Sequence, residues 1–261
     1  ITTKAAIVRT ADEARMKVER LLDLGVDFIA THSRVSEEAL KGAAASAHSA
    51  AKTIWGPVPR EISMELALAA GLDGVLGLDG FLSDRFGWVG AEEPDFSSGV
   101  QAVLGAGALV MPVVNSVAAR VRLPEDPEQT LSLFSPHYGA QWRAELESRG
   151  RLDADEYYRR GAQALGRQER LVAELFGAGV QLVPGSGAPN PWVLPGDGLH
   201  DELDAWVRAG VPASDVLRFA TSGAASALGI SESIGQVRAG LYGELLVVDS
   251  DPREGISVLR R

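Results

Sequence analysis

Residues 182–203 read LVPGSGAPNPWVLPGDGLHDEL, and their punctuation decides how the rest of the chain is read. An apolar strand carrying Val180, Leu182 and Val183 runs into a turn at Pro184, Gly185, Ser186 and Gly187. Proline and glycine supply the backbone angles that turns need and interrupt both strand and helix. A proline-bounded loop, Asn190-Pro191-Trp192, follows, and a helix opens near Leu199 and His200. Strand, roomy loop and helix in that order make a βα unit, and parallel α/β proteins place their chemistry in such loops.

The same unit recurs upstream. A helix ending at glycine precedes an apolar strand at Leu24-Gly25-Val26, Ala70-Gly71-Leu72, Ala106-Gly107-Ala108 and Ala178-Gly179-Val180. Glycine closes a helix because it enters the left-handed region without a Cβ clash. The strands predicted are 27–30 (DFIA), 52–56 (KTIWG), 74–78 (GVLGL), 108–114 (ALVMPVV) and 180–184 (VQLVP). Short continuous apolar runs between helices argue for a parallel sheet buried on both faces. Thr10 and Glu13 have capping-box spacing, and Ala14, Val18, Leu21 and Leu22 then share one helix face. Ser36 opens the next helix, with Glu37 and Glu38 at the positive end of its dipole.

Residues 116–176 read as an insertion beside the sheet: a loop holding Pro124, Pro127 and Pro136, then a charged helix over 153–176. Beyond Leu199, helices over 200–209 and 214–228 give way to IGQVRAGLYGELLVV at 234–248. Its glycine turns and alternating apolar residues predict a β-hairpin.

Composition narrows the function classes. The chain has 261 residues, 46% of them apolar, enough for one large α/β domain or two small ones. Its formal net charge is −10, from 25 basic against 35 acidic side chains, which argues against nucleic acid as a partner. Zero cysteines exclude disulfides, thiolate zinc sites and cysteine nucleophiles. No apolar run reaches the roughly 18 residues of a membrane span, and the opening ITTKAAIVRT lacks the apolar segment of a secretion signal. An Ile start is not a natural initiator, so removal of upstream residues is expected, a signal peptide among the options. A soluble chain is expected, and the compartment, cytoplasmic or secreted, stays open. Richness in Ala, Gly, Arg and Leu suits a GC-rich bacterial source.

From about Thr10 to the C-terminus the chain resembles the amidohydrolase superfamily, in its imidazolonepropionase- and prolidase-like branch. The turn at 185–188 is similar to the Gly-Ser/Thr-Asp-Ala of that family's last barrel strand. GPVPREISMELALAAGLDGVLGLDGFL (56–82) is similar to the fifth and sixth strands, which there carry histidines in Gly-His-Val-Pro and Ile-Glu-His-Leu. The tail, HDELDAWVRAGVPASDVLRFATSGAASALGI (200–230) and GQVRAGLYGELLVVDSDP (235–252), looks like the closing helices and small sandwich domain. The resemblance implies an α/β fold: strands four to eight of a TIM-type (β/α)8 barrel over 1–230, and a C-terminal β-hairpin of the sandwich over 231–261. It also implies hydrolysis of C–N bonds in small cyclic amides or short peptides, with one or two divalent metals, commonly zinc, activating water.

Carried over residue by residue, the metal ligands are missing. The fourth-strand lysine falls on Ala30, the fifth-strand histidine on Pro57, the sixth-strand histidine on Gly77 and the eighth-strand aspartate on Gly187. The paired histidines of the first strand lie upstream of this chain. None of these four side chains can donate to a divalent cation. The expectation is therefore no bound metal cofactor, in a lineage that abandoned the metal or a scaffold stripped of it.

Polar residues at predicted strand ends are the remaining candidates for a small-molecule site: His32, Arg60, Asp79, Asn115 and Asn190. Each has a plainer reading. His32 suits an ordinary loop, Arg60 a helix cap, and Asp79, Asn115 and Asn190 turns. His48, His137 and His200 show no HxH or HExxH spacing with one another. Gly105-Ala106-Gly107 has Val110 where a dinucleotide fingerprint needs its third glycine, and no Gly-x-Ser-x-Gly elbow occurs. Glu92, Glu93 and Asp95 around Pro94 read as a solvated loop rather than a glycosidase pair.

Three functional expectations result. The first is a catalytically degenerate amidohydrolase-like protein that keeps the fold. The second is a metal-free enzyme with His32 or Asp79 as general base. The third is half of a split metallo-hydrolase. Five strands of an eight-stranded barrel leave open edges, so self-association or an N-terminal partner fragment is expected.

Overall fold

Ile29, Ile54, Val75 and Val110 are buried on four adjacent strands and belong to one hydrophobic core. The computed structural model describes residues 6–81, 95–122, 125–149 and 154–260. The strands are β1 (Ile29–Ala30), β2 (Ile54–Gly56), β3 (Gly74–Leu76) and β4 (Leu109–Met111), parallel and in chain order. Ile29 pairs with Ile54, and Val75 with Val110. A parallel bridge from Val110 to Leu182 sets the next segment beside β4, with Val183 N donating to Val110 O at 2.9 Å. The chain is thus α/β with a four-stranded parallel sheet.

β1 and β2 end where predicted but begin later, β3 and β4 stop early, and the segment predicted as a fifth strand, 180–184, makes only the Val110–Leu182 bridge. Pro57 and Pro112 lack the N–H that would continue a ladder. Gly77 turns left-handed, at φ 77°. The helix starts follow their sequence signals. Thr10 Oγ1 accepts from Glu13 N at 3.2 Å and opens α1 (Ala11–Leu22); Ser36 Oγ accepts from Ala39 N at 3.2 Å and opens α2 (Glu37–Ser49). The two pack closely because Gly42 has no side chain: a Cβ there would sit 2.3 Å from Ala11 O. All four glycines read as helix ends, Gly25, Gly71, Gly107 and Gly179, have positive φ.

Helices α3 (Met64–Ala69) and α4 (Ser97–Ala106) alternate with the strands. The excursion after β4 departs from expectation. In place of a proline-rich loop it forms α5 (Val114–Val121), α6 (Pro127–Ser132) and α7 (Pro136–Arg149), before α8 (Ala154–Gly177). Pro127 and Pro136 each stand at a first helical position, where the missing N–H has no partner to lose and φ is already helical. Leu131, Trp142 and Trp192 make a small core of their own there, with Phe134 edge-on to Trp142. Pro124, Glu92, Glu93 and Pro94 lie outside the described residues.

The closing helices are α9 (Asp197–Arg208), α10 (Ala213–Arg218) and α11 (Ala224–Ala227), with a π-helical turn at Phe219–Gly223 between the last two. Residues 234–248 do not form the predicted hairpin: no strand is present there. Val237, Tyr242, Leu246 and Val247 are exposed, Val247 at 98%. A lone two-stranded ribbon is marginal without a third strand or an apolar face to lie on, and the described residues give this segment neither. Past it, a 3₁₀ helix (Ile256–Arg260) returns to α9, where Arg260 contacts Asp197, Asp201 and Asp204 at 2.5, 2.7 and 2.8 Å.

Candidate functional site

The loops leaving β2 and β3 enclose a cavity of about 460 Å³ at the carboxyl ends of the strands. Pro57, Val58, Ile62, Met64 and Phe81 give it apolar walls, and Arg60, Glu65, Asp79 and Asp95 bring charge. Pro57-Val58-Pro59 fixes the chain in an extended bend, and Arg60 N closes it by donating to Ser33 O at 2.9 Å. Asp79 enters the cavity because Gly77 reverses the chain, so that a 3₁₀ turn (Asp79–Phe81) follows β3 directly.

The charges differ in how far they are committed. Ser63 and its own backbone N–H hold Glu65 below the usual carboxylate range, and Ser97 does the same for Asp95, its N–H donating at 2.9 Å. Asp79 keeps one side open to solvent, yet the protein around its carboxyl pushes it above the usual range. Arg120 and Arg60 pull it the other way without overcoming burial. Among the described residues neither Arg60 nor Asp79 has a hydrogen-bonded or ion-paired side-chain partner.

Of the five candidates, the cavity brings together Arg60 and Asp79. His32 is exposed beside it, its Nδ1 3.5 Å from Ser33 Oγ; only Ser33 lines the cavity. Asn190 is an exposed turn residue whose N–H donates to Gly187 O at 3.0 Å. Asn115 does not end a strand. It lies in the first turn of α5 at 2% exposure, its N–H on Glu202 Oε2 at 2.8 Å and its Nδ2 on Gly198 O at 2.5 Å.

Glu202 is the polar residue that sequence reasoning missed. It is fully buried, with Oε1 accepting from Trp206 Nε1 at 2.8 Å and Oε2 facing the N-terminus of α5. Burial raises its carboxyl to about 7, opposed by the N–H of Asn115, the indole of Trp206 and the N–H groups of Val114 and Val113. An acid four residues before Trp206, on the same face of α9, was the signal available.

The four positions onto which the resemblance carried metal ligands lie in different surroundings. Ala30 is exposed at the end of β1, and Pro57 lines the cavity. Gly77 has open space where a side chain would project. Gly187 has none to spare. At φ 67°, a Cβ there would stand 2.8 Å from Val113 Cγ1 and 3.4 Å from Asn115 Oδ1. Among the described residues, no three His, Asp or Glu side chains come together as a metal-binding group.

No family model matches the sequence. No curated protein matches it either. Solved structures match by shape. A Xaa-Pro dipeptidase with bound methionine in the active site superposes at TM-score 0.67 and 17% identity, covering 97% of this chain and 56% of that one. A bottromycin amidohydrolase gives 0.70 and 24%, covering 88% and 53%. A putative prolidase from Bifidobacterium longum gives 0.67 and 18%, covering 99% and 60%. The chain therefore spans little more than half the length of these structures.

Proposed function

We propose, from the premise that this chain has the fold of amidohydrolase-superfamily structures, that it corresponds to strands four to eight of such a barrel. We read it as a small-molecule-binding, catalytically degenerate relative of hydrolases that act on C–N bonds. One observation carries the reading. The positions that hold metal in the resembling family are Ala30, Pro57, Gly77 and Gly187, and the side-chain space at Gly187 is already filled by Val113. A divalent metal does not fit this donor set, since three or four side-chain ligands are normally required. The cavity walls, in contrast, remain built for a ligand.

A second reading, metal-free catalysis with Asp79 as general base, is favoured by its raised carboxyl inside the cavity. His32, the other proposed base, lies outside the cavity lining. The test is elemental analysis of the purified chain, with amide, lactam and dipeptide hydrolysis assayed with and without added zinc. No stoichiometric transition metal and no zinc-dependent turnover are expected. A transition metal near unit occupancy at the strand mouths would overturn the first reading, and zinc-independent turnover lost in Asp79→Asn would establish the second.

The partner proposal rests on unpaired surface. Among the described residues β1 has a sheet neighbour on one side only, and Leu245, Leu246 and Val247 are exposed next to one another. We propose that these surfaces pair with a second copy or with an N-terminal fragment. Light scattering that shows a stable monomer at high concentration, alone and with such a fragment, would dismiss the proposal.

A further inference from the structure

Helix α5 starts without a cap of its own. Val113, the residue before it, sits at φ 53° and offers no side-chain hydrogen bond to the first turn. The open N–H groups of a helix start need an acceptor. Here it comes from α9: the fully buried Glu202 takes the Asn115 N–H on Oε2 at 2.8 Å, and the N–H groups of Val113 and Val114 also act on its carboxyl. Every group that favours its charged form is neutral, a backbone N–H or the Trp206 indole. The charges on the packed elements are engaged elsewhere: Glu169 of α8 with Arg208, Asp215 of α10 with Arg218, and Arg260 with three aspartates of α9. Arg120, in the last turn of α5, acts on Asp79. Asn115 contributes a second buried acceptor, Oδ1, with no hydrogen-bond partner among the described residues. A carboxylate sealed among neutral dipoles is better solvated by water once it ionises. Opening the contact between α5 and α9 would hydrate both acceptors.

We propose that the α5–α9 contact is a proton-operated latch: it stays shut while Glu202 is protonated, and ionisation of Glu202 favours local release of α5 with the rest of the fold in place. The proton leaves to solvent as the latch opens. α5 is the element that gives way, since it has eight residues, whereas α9 has twelve and is fastened by Arg260. Because α5 carries Arg120, its release changes the charge around Asp79 in the cavity. The latch does not depend on what the cavity binds or on whether a metal is held.

Hydrogen exchange read residue by residue by NMR, with urea kept below the unfolding transition, tests the latch at pH 5 and pH 8. After correction for intrinsic exchange, the N–H groups over 115–121 should lose protection by about fiftyfold between these values, as expected for a carboxyl that moves from 4.5 to about 7 on burial. They should exchange through an opening that urea barely accelerates, whereas those of β2 and β3 exchange through global unfolding, which urea accelerates strongly. In Glu202→Gln the protection of α5 should be the same at both pH values. Should that variant fail to fold, the parent alone decides: the Asn115 N–H and Trp206 Nε1–H resonances should titrate together with one midpoint near 7. Exchange of α5 with the rate and urea dependence of the strands overturns the proposal, because the response is then global. So does protection of α5 that does not fall with pH, a fall that persists in Glu202→Gln, or two resonances with unrelated midpoints.

Discussion

Trp192 donates its indole N–H to Glu145 Oε2 at 2.9 Å, across 47 positions of sequence. The contact ties the loop after the Leu182 bridge to α7, and Trp142 packs against the same indole at a centroid distance of 6.0 Å. Trp192 holds φ 68°, a conformation that a bulky residue keeps only when its surroundings enforce it. The helical excursion is therefore part of what shapes the strand-mouth loop.

Removing the packing partner tests that dependence. Trp142 is 2% exposed, and Trp142→Ala should destabilise the chain by roughly 3–5 kcal/mol. Urea unfolding followed by Trp fluorescence measures it. A loss under 1 kcal/mol would mean that the excursion is not anchored there.

Glu202 gives a pH dependence with a defined sign. Its carboxyl is raised from 4.5 to about 7 in the fold, so between these values the native state binds a proton that the unfolded chain does not. The corresponding stability is fully present below pH 4.5 and lost as pH rises through about 7. The change is about 3 kcal/mol for this group. Glu202→Gln cannot titrate, so the difference between its stability and that of the parent should vary over this window. Parallel stability curves for the two proteins across that window would refute the assignment.

Arg260 fastens the C-terminal 3₁₀ helix to α9 through three carboxylates. Two of them, Asp197 and Asp201, are about half exposed, so solvent weakens the attraction and Arg260→Ala should cost only about 1–2 kcal/mol. The difference should shrink in molar salt. Thermal unfolding at two ionic strengths provides the comparison, and a salt-independent loss would assign the effect to packing of the stem.

Gly187→Asp places a carboxylate in the turn after the Leu182 bridge, but the left-handed backbone and the overlap with Val113 should cost about 2–4 kcal/mol. The variant should melt lower than the parent and still take up no stoichiometric zinc. Elemental analysis and a melting curve measure both; zinc at near-unit occupancy would show that donors exist where none has been found.

Much of the fold was legible because helix closure by glycine is a local rule. Gly25, Gly71, Gly107 and Gly179 turn where their sequences say; strands follow the first three, and a single bridge, Val110 to Leu182, follows Gly179. Helices α5 to α7 were not legible. Pro127 and Pro136 break a helix when internal and start one when first, and their neighbours alone do not distinguish the cases. Arg60 and Asp79 stood out because each follows a strand end. Asn115 stood out for the same reason and proved structural, since β4 ends at Met111, and Asn115 falls inside α5. The hairpin at 234–248 had the right pattern, but a period of two describes side-chain alternation and says nothing about what the strand pairs with.

Val113 next to Gly187 also fixes an order of events. A carboxylate introduced at Gly187 meets Val113 first, so the substitution is penalised in the present background whatever function it could serve. Val113 would have to shrink or move beforehand, and Val113 itself sits at φ 53°, immediately before the helix that Glu202 caps. A side chain at 187 thus requires prior change at its neighbour, which couples to a third residue in α9. Single-step screens for an acidic residue tolerated at this position should return nothing, and libraries that vary residues 113 and 187 together are the ones that could reach it.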